Sequence, residues 1–301
     1  VPELPDVEVY VEALRERVVG EPLLGVRLGN PFLLRTVEPP LAAFTGRRVA
    51  AVSRLGKRVV LGFDGDLFLV VHLMIAGRLH WKPPGTKLPG KAGLLALDFP
   101  EGTLTLTEAG SKRRASLHAV SGSAGLSALD RGGIEPLAAS PEAFREALRR
   151  ENHTLKRALT DPRLLAGIGG AYADEILHRA RLSPMQLSHH LDDDAVERLR
   201  VATCAVLVDW TERLRREAAG GFPEGVTAFR PGMAVHGRHR LPCPACGTLV
   251  QRIVHAENET DYCPRCQTGG RILSDRSLAR LLKDDWPRTV EEMEALEERR
   301  R

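Results

Sequence analysis

Two Cys-x-x-Cys pairs, CPAC and CPRC, stand sixteen residues apart near the end of a 301-residue chain. No other feature restricts the local fold so tightly. Cys243, Cys246, Cys263 and Cys266 offer four thiolates at the spacing of one tetrahedral zinc site. A module of this size buries too little apolar surface to hold itself together, and the metal supplies the missing free energy. Four thiolates leave no open coordination position, so the expected cofactor is a single structural Zn2+. Metal is preferred to disulfides because the chain reads as cytoplasmic. No apolar run follows a basic start, and the longest apolar stretch, 67–76, is interrupted by His72 and is too short to span a bilayer. No membrane partner is expected. The fifth cysteine, Cys204, reads as a small core residue in a helical stretch.

The length favours two domains plus a small module. The formal net charge of +4 leans toward anionic partners. After Pro5, apolar residues recur at Val7, Val11, Leu14 and Val18, one face of a helix ending near Gly20. From Leu23 to about Val120 the reading is strands separated by turn signals at Gly56-Lys57, Asp64-Gly65 and Glu101-Gly102. Residues 131–140 form a linker by composition. Helices are expected over 141–150, 153–160, 171–181 and 193–219, then a loop, the cysteine module and an arginine-rich tail. That tail has short helices from Asp275 and at Thr289, where Thr-x-x-Glu292 is a capping-box pattern. The expected domains are 1–130, 141–225 and 226–270, with 271–301 as a C-terminal extension.

The first residues, VPELPDVEVY, carry more instruction than a fraying end requires. Pro5 suits a first helical turn, and Asp6 and Glu8 suit the positive end of the helix dipole. If residue 1 is removed, Pro2 also carries a free secondary amine. An α-amino group titrates near 7.7–8.0 and lysine near 10.4, so the amine is on the order of a hundredfold more available as a neutral nucleophile. Such an amine can attack an electrophilic carbon to form an iminium, with Glu3 next door shuttling protons. Val1 left in place would lock Pro2 in an amide. The expectation is a valine start codon read as methionine and then trimmed.

Two further stretches carry chemistry. LLAGIGGAYADEIL places Gly167, Gly169 and Gly170 between two helices. The glycines read either as close packing or as a helix N-terminus that binds phosphate, and a basic zinc module beside them favours nucleic acid. RLGKR puts Lys57 in a hairpin turn between Arg54 and Arg58. It reads as a solvated turn or as a cation aimed at a phosphate or a reacting base.

In that order, PELPDVEVY, the Lys57 hairpin, GIGGAYADE and the paired cysteines resemble the formamidopyrimidine-DNA glycosylase and endonuclease VIII family. The resemblance covers most of the chain. It implies an α+β multidomain fold: an N-terminal helix plus antiparallel β-sandwich, a helix–two-turn–helix domain and a C-terminal zinc-ribbon finger. It implies a monomeric bifunctional DNA glycosylase and AP lyase that removes damaged bases from double-stranded DNA. Pro2 then resembles the Schiff-base nucleophile, Glu3 the adjoining acid/base and Lys57 the hairpin lysine that assists catalysis. Lys156, in NHTLKRAL, matches a phosphate-contacting lysine, and Gly170 and Tyr172 fall in the DNA-binding glycine motif. Met74 and Ile75 stand at the void-filling position, and Arg113 and Arg114 occupy the region of the usual wedge loop.

The chain departs from the pattern in four places. Gly170 replaces an Asn, and Asn258 replaces the arginine five residues before the third cysteine. Ile75 replaces a methionine, with Met74 beside it, and the usual Arg-x-Phe wedge gives way to the basic cluster Lys112–Arg114. The changes at Gly170 and Asn258 motivate an alternative, a DNA-binding paralogue with weak or no catalysis. The intact PELP start argues against it, because a pure binder needs no proline amine.

Overall fold

Val7, Tyr10, Val11, Leu14 and Val18 are each fully buried, so the apolar stripe read at the start of the chain is the inner face of helix α1, Leu4–Val18. It joins a core that also takes Val59, Leu61 and Phe63, Leu69 and Val71, Leu95, Leu97 and Phe99, and Leu104 and Leu106. The computed structural model that defines this fold describes residues 2–109, 112–226, 230–255, 258–273 and 287–298.

The alternating residues belong to two four-stranded antiparallel sheets. Strands β1 (Gly25–Leu28), β6 (Gly93–Phe99), β7 (Gly102–Glu108) and β5 (Gly77–Lys82) form one, in that order. Strands β2 (Val49–Leu55), β3 (Arg58–Phe63), β4 (Leu67–His72) and β8 (Ser116–Ser121) form the other. Strands β3 and β4 read as continuous apolar runs because both their faces are covered. Val60, Val70 and Val120 point away from the main core into a second cluster with Leu126 and Leu129. The short helix α2, Gly122–Ser127, supplies Leu126 and was not foreseen from the sequence.

The remaining elements are α3 (Pro141–Arg149), α4 (Leu155–Thr160), α5 (Gly170–Ala180) and α6 (Asp193–Ala218). They are followed by strands β9 (Gln251–His255) and β10 (Asn258–Tyr262) and helices α7 (Pro264–Thr268) and α8 (Val290–Glu298). Helix α3 starts at Ser140-Pro141: Ser140 Oγ accepts the Ala143 N–H at 3.2 Å, and Pro141 has no N–H that would need an acceptor. Residues 1–132 with 208–228 form one compact unit, and 133–207 with 229–301 a second. The last turns of α6 belong to the first unit, where Arg215 grips Glu12 of α1 with contacts of 2.6 and 2.8 Å. The helix expected from Asp275 lies outside the described residues. Among the described residues no helix is long and apolar enough to cross a membrane.

Candidate active site and metal centre

The N-terminal end of α1 is ordered by its own sequence. Glu3 is the N-cap, and its N–H donates to Asp6 Oδ2 at 2.9 Å, while the Glu3 side chain takes the Asp6 N–H in return. This reciprocal capping box satisfies two donors that a helix start otherwise leaves open. Pro2 is buried, and Glu3 and Asp6 are each 2% exposed. Val1 lies outside the described residues.

Lys57 follows Gly56 in the two-residue turn between β2 and β3, where Leu55 pairs with Arg58. Gly56 has φ +59°, which a type II′ hairpin turn requires at its first central position and glycine supplies without strain. Arg54 fixes this turn to the start of α1: Nη1 donates to the Gly56 carbonyl at 2.9 Å and Nε to Glu8 Oε2 at 3.1 Å. The hairpin that carries Lys57 is thereby tied to the helix that carries Glu3.

Beside Lys57 lies a basic cluster that sequence reasoning missed. Burial, together with the charges of Arg58, Lys57, His118 and Arg131, lowers the His72 pKa to about 4. Burial also lowers His118 and Arg58. Arg58 donates to the Leu129 carbonyl at 3.0 Å, while its buried Nε has no hydrogen-bond partner among the described residues. Strand alternation places Arg58 and His72 together, but only the register reveals it.

The turn after β4 projects Ile75, which is 49% exposed, while Met74 beside it is half-buried with φ +53°. The turn closes through Gly77 N–H to the Leu73 carbonyl at 2.9 Å. A Cβ on Gly77 would meet that oxygen at 2.3 Å, so glycine is required there. Arg113 and Arg114 are exposed on the segment after β7. The buried Glu108 carboxylate holds this segment by accepting the N–H groups of Arg114 at 3.0 Å and Ala115 at 3.1 Å.

A second missed feature is residues 220–226. Phe222 lies 5.6 Å from the Tyr10 ring, and Glu224 meets His80 Nδ1 and Lys82 Nζ, the latter at 3.2 Å. Sequence reading gave only a loop here, because its partners lie far away in the chain, those of Glu224 some 140 residues earlier and Tyr10 earlier still.

In the second unit, α5 begins at Gly170 after the left-handed Gly167, φ +83°. Lys156 Nζ reaches the Gly170 carbonyl and Asp174 Oδ1, each at 2.5 Å. Tyr172, expected at the DNA surface, is 2% exposed, so its ring belongs to the core of this unit; a tyrosine one turn into a helix with an apolar inner face is drawn inward. Asn258 opens β10, in register with His255, and its side chain lies outside what is described.

The four cysteines converge. Their Sγ atoms all lie within 4.8 Å of one another, with Cys246–Cys263 at 3.4 Å and Cys243–Cys266 at 4.0 Å. Four sulfurs at about 2.3 Å from one zinc stand about 3.8 Å apart, so the donor set fits the ion. Cys243 and Cys263 are buried with Val235 and Val250 in a small core of their own. Nearby, Glu175 accepts the N–H groups of Ala234, Val235 and His236, which oppose the rise that burial imposes on its carboxyl.

Known proteins place these features together. The formamidopyrimidine-DNA glycosylase N-terminal domain matches residues 1–113, the formamidopyrimidine-DNA glycosylase H2TH domain 133–215, and the zinc finger found in FPG and IleRS 240–269. The formamidopyrimidine-DNA glycosylase of Thermus thermophilus is 36% identical over 281 residues, which cover 89% of this chain and 99% of that protein. The Lactococcus lactis enzyme bound non-covalently to DNA containing an AP site superposes with a TM-score of 0.77 at 25% identity, covering 88% of this chain and 99% of that one. A mutant of that enzyme in complex with DNA containing Fapy-dG gives 0.77 and 25%, covering 89% and 100%.

Fold, domain order and the zinc centre define a DNA glycosylase of base-excision repair. The chain belongs to the formamidopyrimidine-DNA glycosylase family, with one structural zinc held by Cys243, Cys246, Cys263 and Cys266.

Proposed function

We propose that the protein acts as a monomer on damaged duplex DNA, removing oxidised or ring-opened purines and then cleaving the abasic site. Pro2 is the nucleophile in this reading. The observation that carries it is the buried start of α1, where Pro2 adjoins a Glu3 that the capping box holds in place. Attack of the Pro2 amine on C1′ expels the base with the glycosidic electron pair, and the base takes up a proton. Glu3 protonates O4′, the sugar ring opens, and an iminium joins Pro2 to C1′. Loss of a C2′ proton then expels the 3′ phosphate by β-elimination, a δ-elimination expels the 5′ phosphate, and water frees Pro2. Lys57, tied to α1 through Arg54, supplies positive charge to the phosphate backbone. Ile75 and Met74 fill the space of the extruded base, whose removal from the stack costs a few kcal/mol. Arg113, Arg114, Lys156 and the α5 N-terminus at Gly170 hold phosphates. Zinc orders the finger and takes no part in bond breaking.

Borohydride tests the reading. Incubated with abasic-site duplex, the protein should give a covalent adduct that Pro2→Gly loses. Mass measurement of the N-terminus of the same preparation should show a chain beginning at Pro2. A chain that begins at Pro2 and gives no adduct overturns the lyase assignment and leaves a protein that recognises damaged DNA without turning it over.

A further inference from the structure

Helix α5 directs two side chains at the zinc module. Glu175 and His178 are three residues apart and so share a face of the helix. Glu175 holds the backbone of Ala234–His236 with N–H contacts of 2.7, 2.9 and 2.9 Å, and Val235 packs in the core around Cys243 and Cys263. His178 brings Nε2 to 3.2 Å from Cys243 Sγ. The four cysteines already complete the tetrahedron, so this imidazole stands outside the ligand set.

We propose that His178 is a positioning residue of the metal centre: its Nε2–H donates to the Cys243 thiolate and fastens the zinc to α5. The direction follows from the ligand chemistry. Between a free thiol and an imidazole either atom can donate, but a zinc-bound thiolate has no proton and its sulfur only accepts. One dication with four thiolates keeps two negative charges, and each N–H aimed at sulfur offsets part of that excess. Cys263 receives such a donor from its own turn, the Cys266 N–H at 3.5 Å. Cys243 receives one from a residue 65 positions earlier in the chain. The first bond shapes the finger; the second joins the metal to the helix whose N-terminus is the candidate phosphate site. Outer-shell partners of this kind change metal affinity by about 10–100-fold.

Two variants of the zinc-loaded full chain test the assignment. His178→Phe keeps a ring of similar size without a donor, and His178→Gln restores an N–H. Zinc should pass to a chromogenic chelator about tenfold faster from His178→Phe than from the wild type, with His178→Gln recovering most of the difference. In the cobalt(II)-exchanged proteins, the sulfur-to-metal charge-transfer band should shift in His178→Phe and return in His178→Gln. A purely packing role moves the release rate and leaves the band in place. A measurement on the wild type is independent of whether either variant folds: with NMR-active cadmium in the site, a through-bond correlation should link the metal to the His178 ring N–H. Equal release rates with unshifted bands, or the absence of that correlation, overturns the proposal.

Discussion

Arg58 and His72 stand opposite each other in register across β3 and β4. The pairing brings an always-charged group beside an imidazole, and burial with the surrounding cations lowers that imidazole to about 4. Unfolded, the same histidine titrates near 6.5. Between these values the unfolded chain binds the proton and the folded one does not, so stability rises with pH across this window and is lost as pH falls. The contribution is about 2 kcal/mol between pH 7 and pH 5. Urea midpoints of the wild type and His72→Asn at both pH values check it. The wild type should lose more stability on acidification by roughly that amount, and equal losses would show that His72 titrates normally.

Gly170 opens α5 where the family resemblance led us to expect an asparagine, and a Cβ built there meets nothing within 4 Å. Gly170 does not adopt a positive φ, so a side chain is not strained. Gly170→Asn should add one neutral hydrogen bond to phosphate, worth about 1 kcal/mol, or about fivefold in affinity. Fluorescence anisotropy with abasic duplex at several salt concentrations would measure it. The salt slope should stay unchanged, because no charge is added. Unaltered affinity would mean that phosphate does not approach this helix end.

Local signals read true wherever the partners are close in sequence. The Val7–Val18 stripe, the Gly56-Lys57 turn and the four cysteines all act within a few residues of themselves or through a spacing chemistry dictates. The Thr289 cap is of the same kind, accepting the Glu292 N–H at 3.3 Å. What escaped is long-range pairing. Arg54 looked like one more charge in a turn, yet it bridges Glu8 and Gly56. His72 read only as a break in an apolar run, because its neighbours come from three other segments. Glu224 gave no signal, since a carboxylate in a loop has no pattern until the strand it docks on is known. Tyr172 is the opposite case: a motif drew attention to a residue whose ring is core.

The C-terminal helix α8 lies beyond the matched zinc-finger region, yet it is bound to the finger's end. Val290 and Met293 bury against Ile272, and Ile272 N–H donates to the Arg288 carbonyl at 2.9 Å. The neighbouring Leu273 N–H goes instead to Tyr262 Oη at 2.7 Å. Ending the chain after Leu273 should therefore speed amide exchange at Ile272 much more than at Leu273. Apolar burial of two such side chains contributes about 3–6 kcal/mol before the entropy of ordering the helix is subtracted. Exchange measured by NMR on the zinc-loaded proteins decides it, and an Ile272 amide equally protected without the tail would remove α8 from the account.

Lys156 has two duties that a single substitution confuses. Its Nζ pairs with Asp174 at 2.5 Å, and Asp174 is 1% exposed, with His236 Nδ1 on its other oxygen at 2.8 Å. Lys156→Ala takes the lysine from a buried carboxylate and leaves it the His236 hydrogen bond among the described residues, which should destabilise the protein by about 3 kcal/mol. Weaker DNA binding by that variant would not identify a phosphate contact. Combining Lys156→Met with Asp174→Asn removes both charges and keeps the volume, so most of the stability should return. Binding by this double variant then isolates the lysine's own role. If Lys156 also faces a phosphate, the slope of log affinity against log salt should fall in magnitude by about 0.9 relative to the wild type. An unchanged slope in a stable double variant would assign Lys156 to its contacts with Asp174 and the Gly170 carbonyl and leave the helix N-terminus as this unit's candidate anion site.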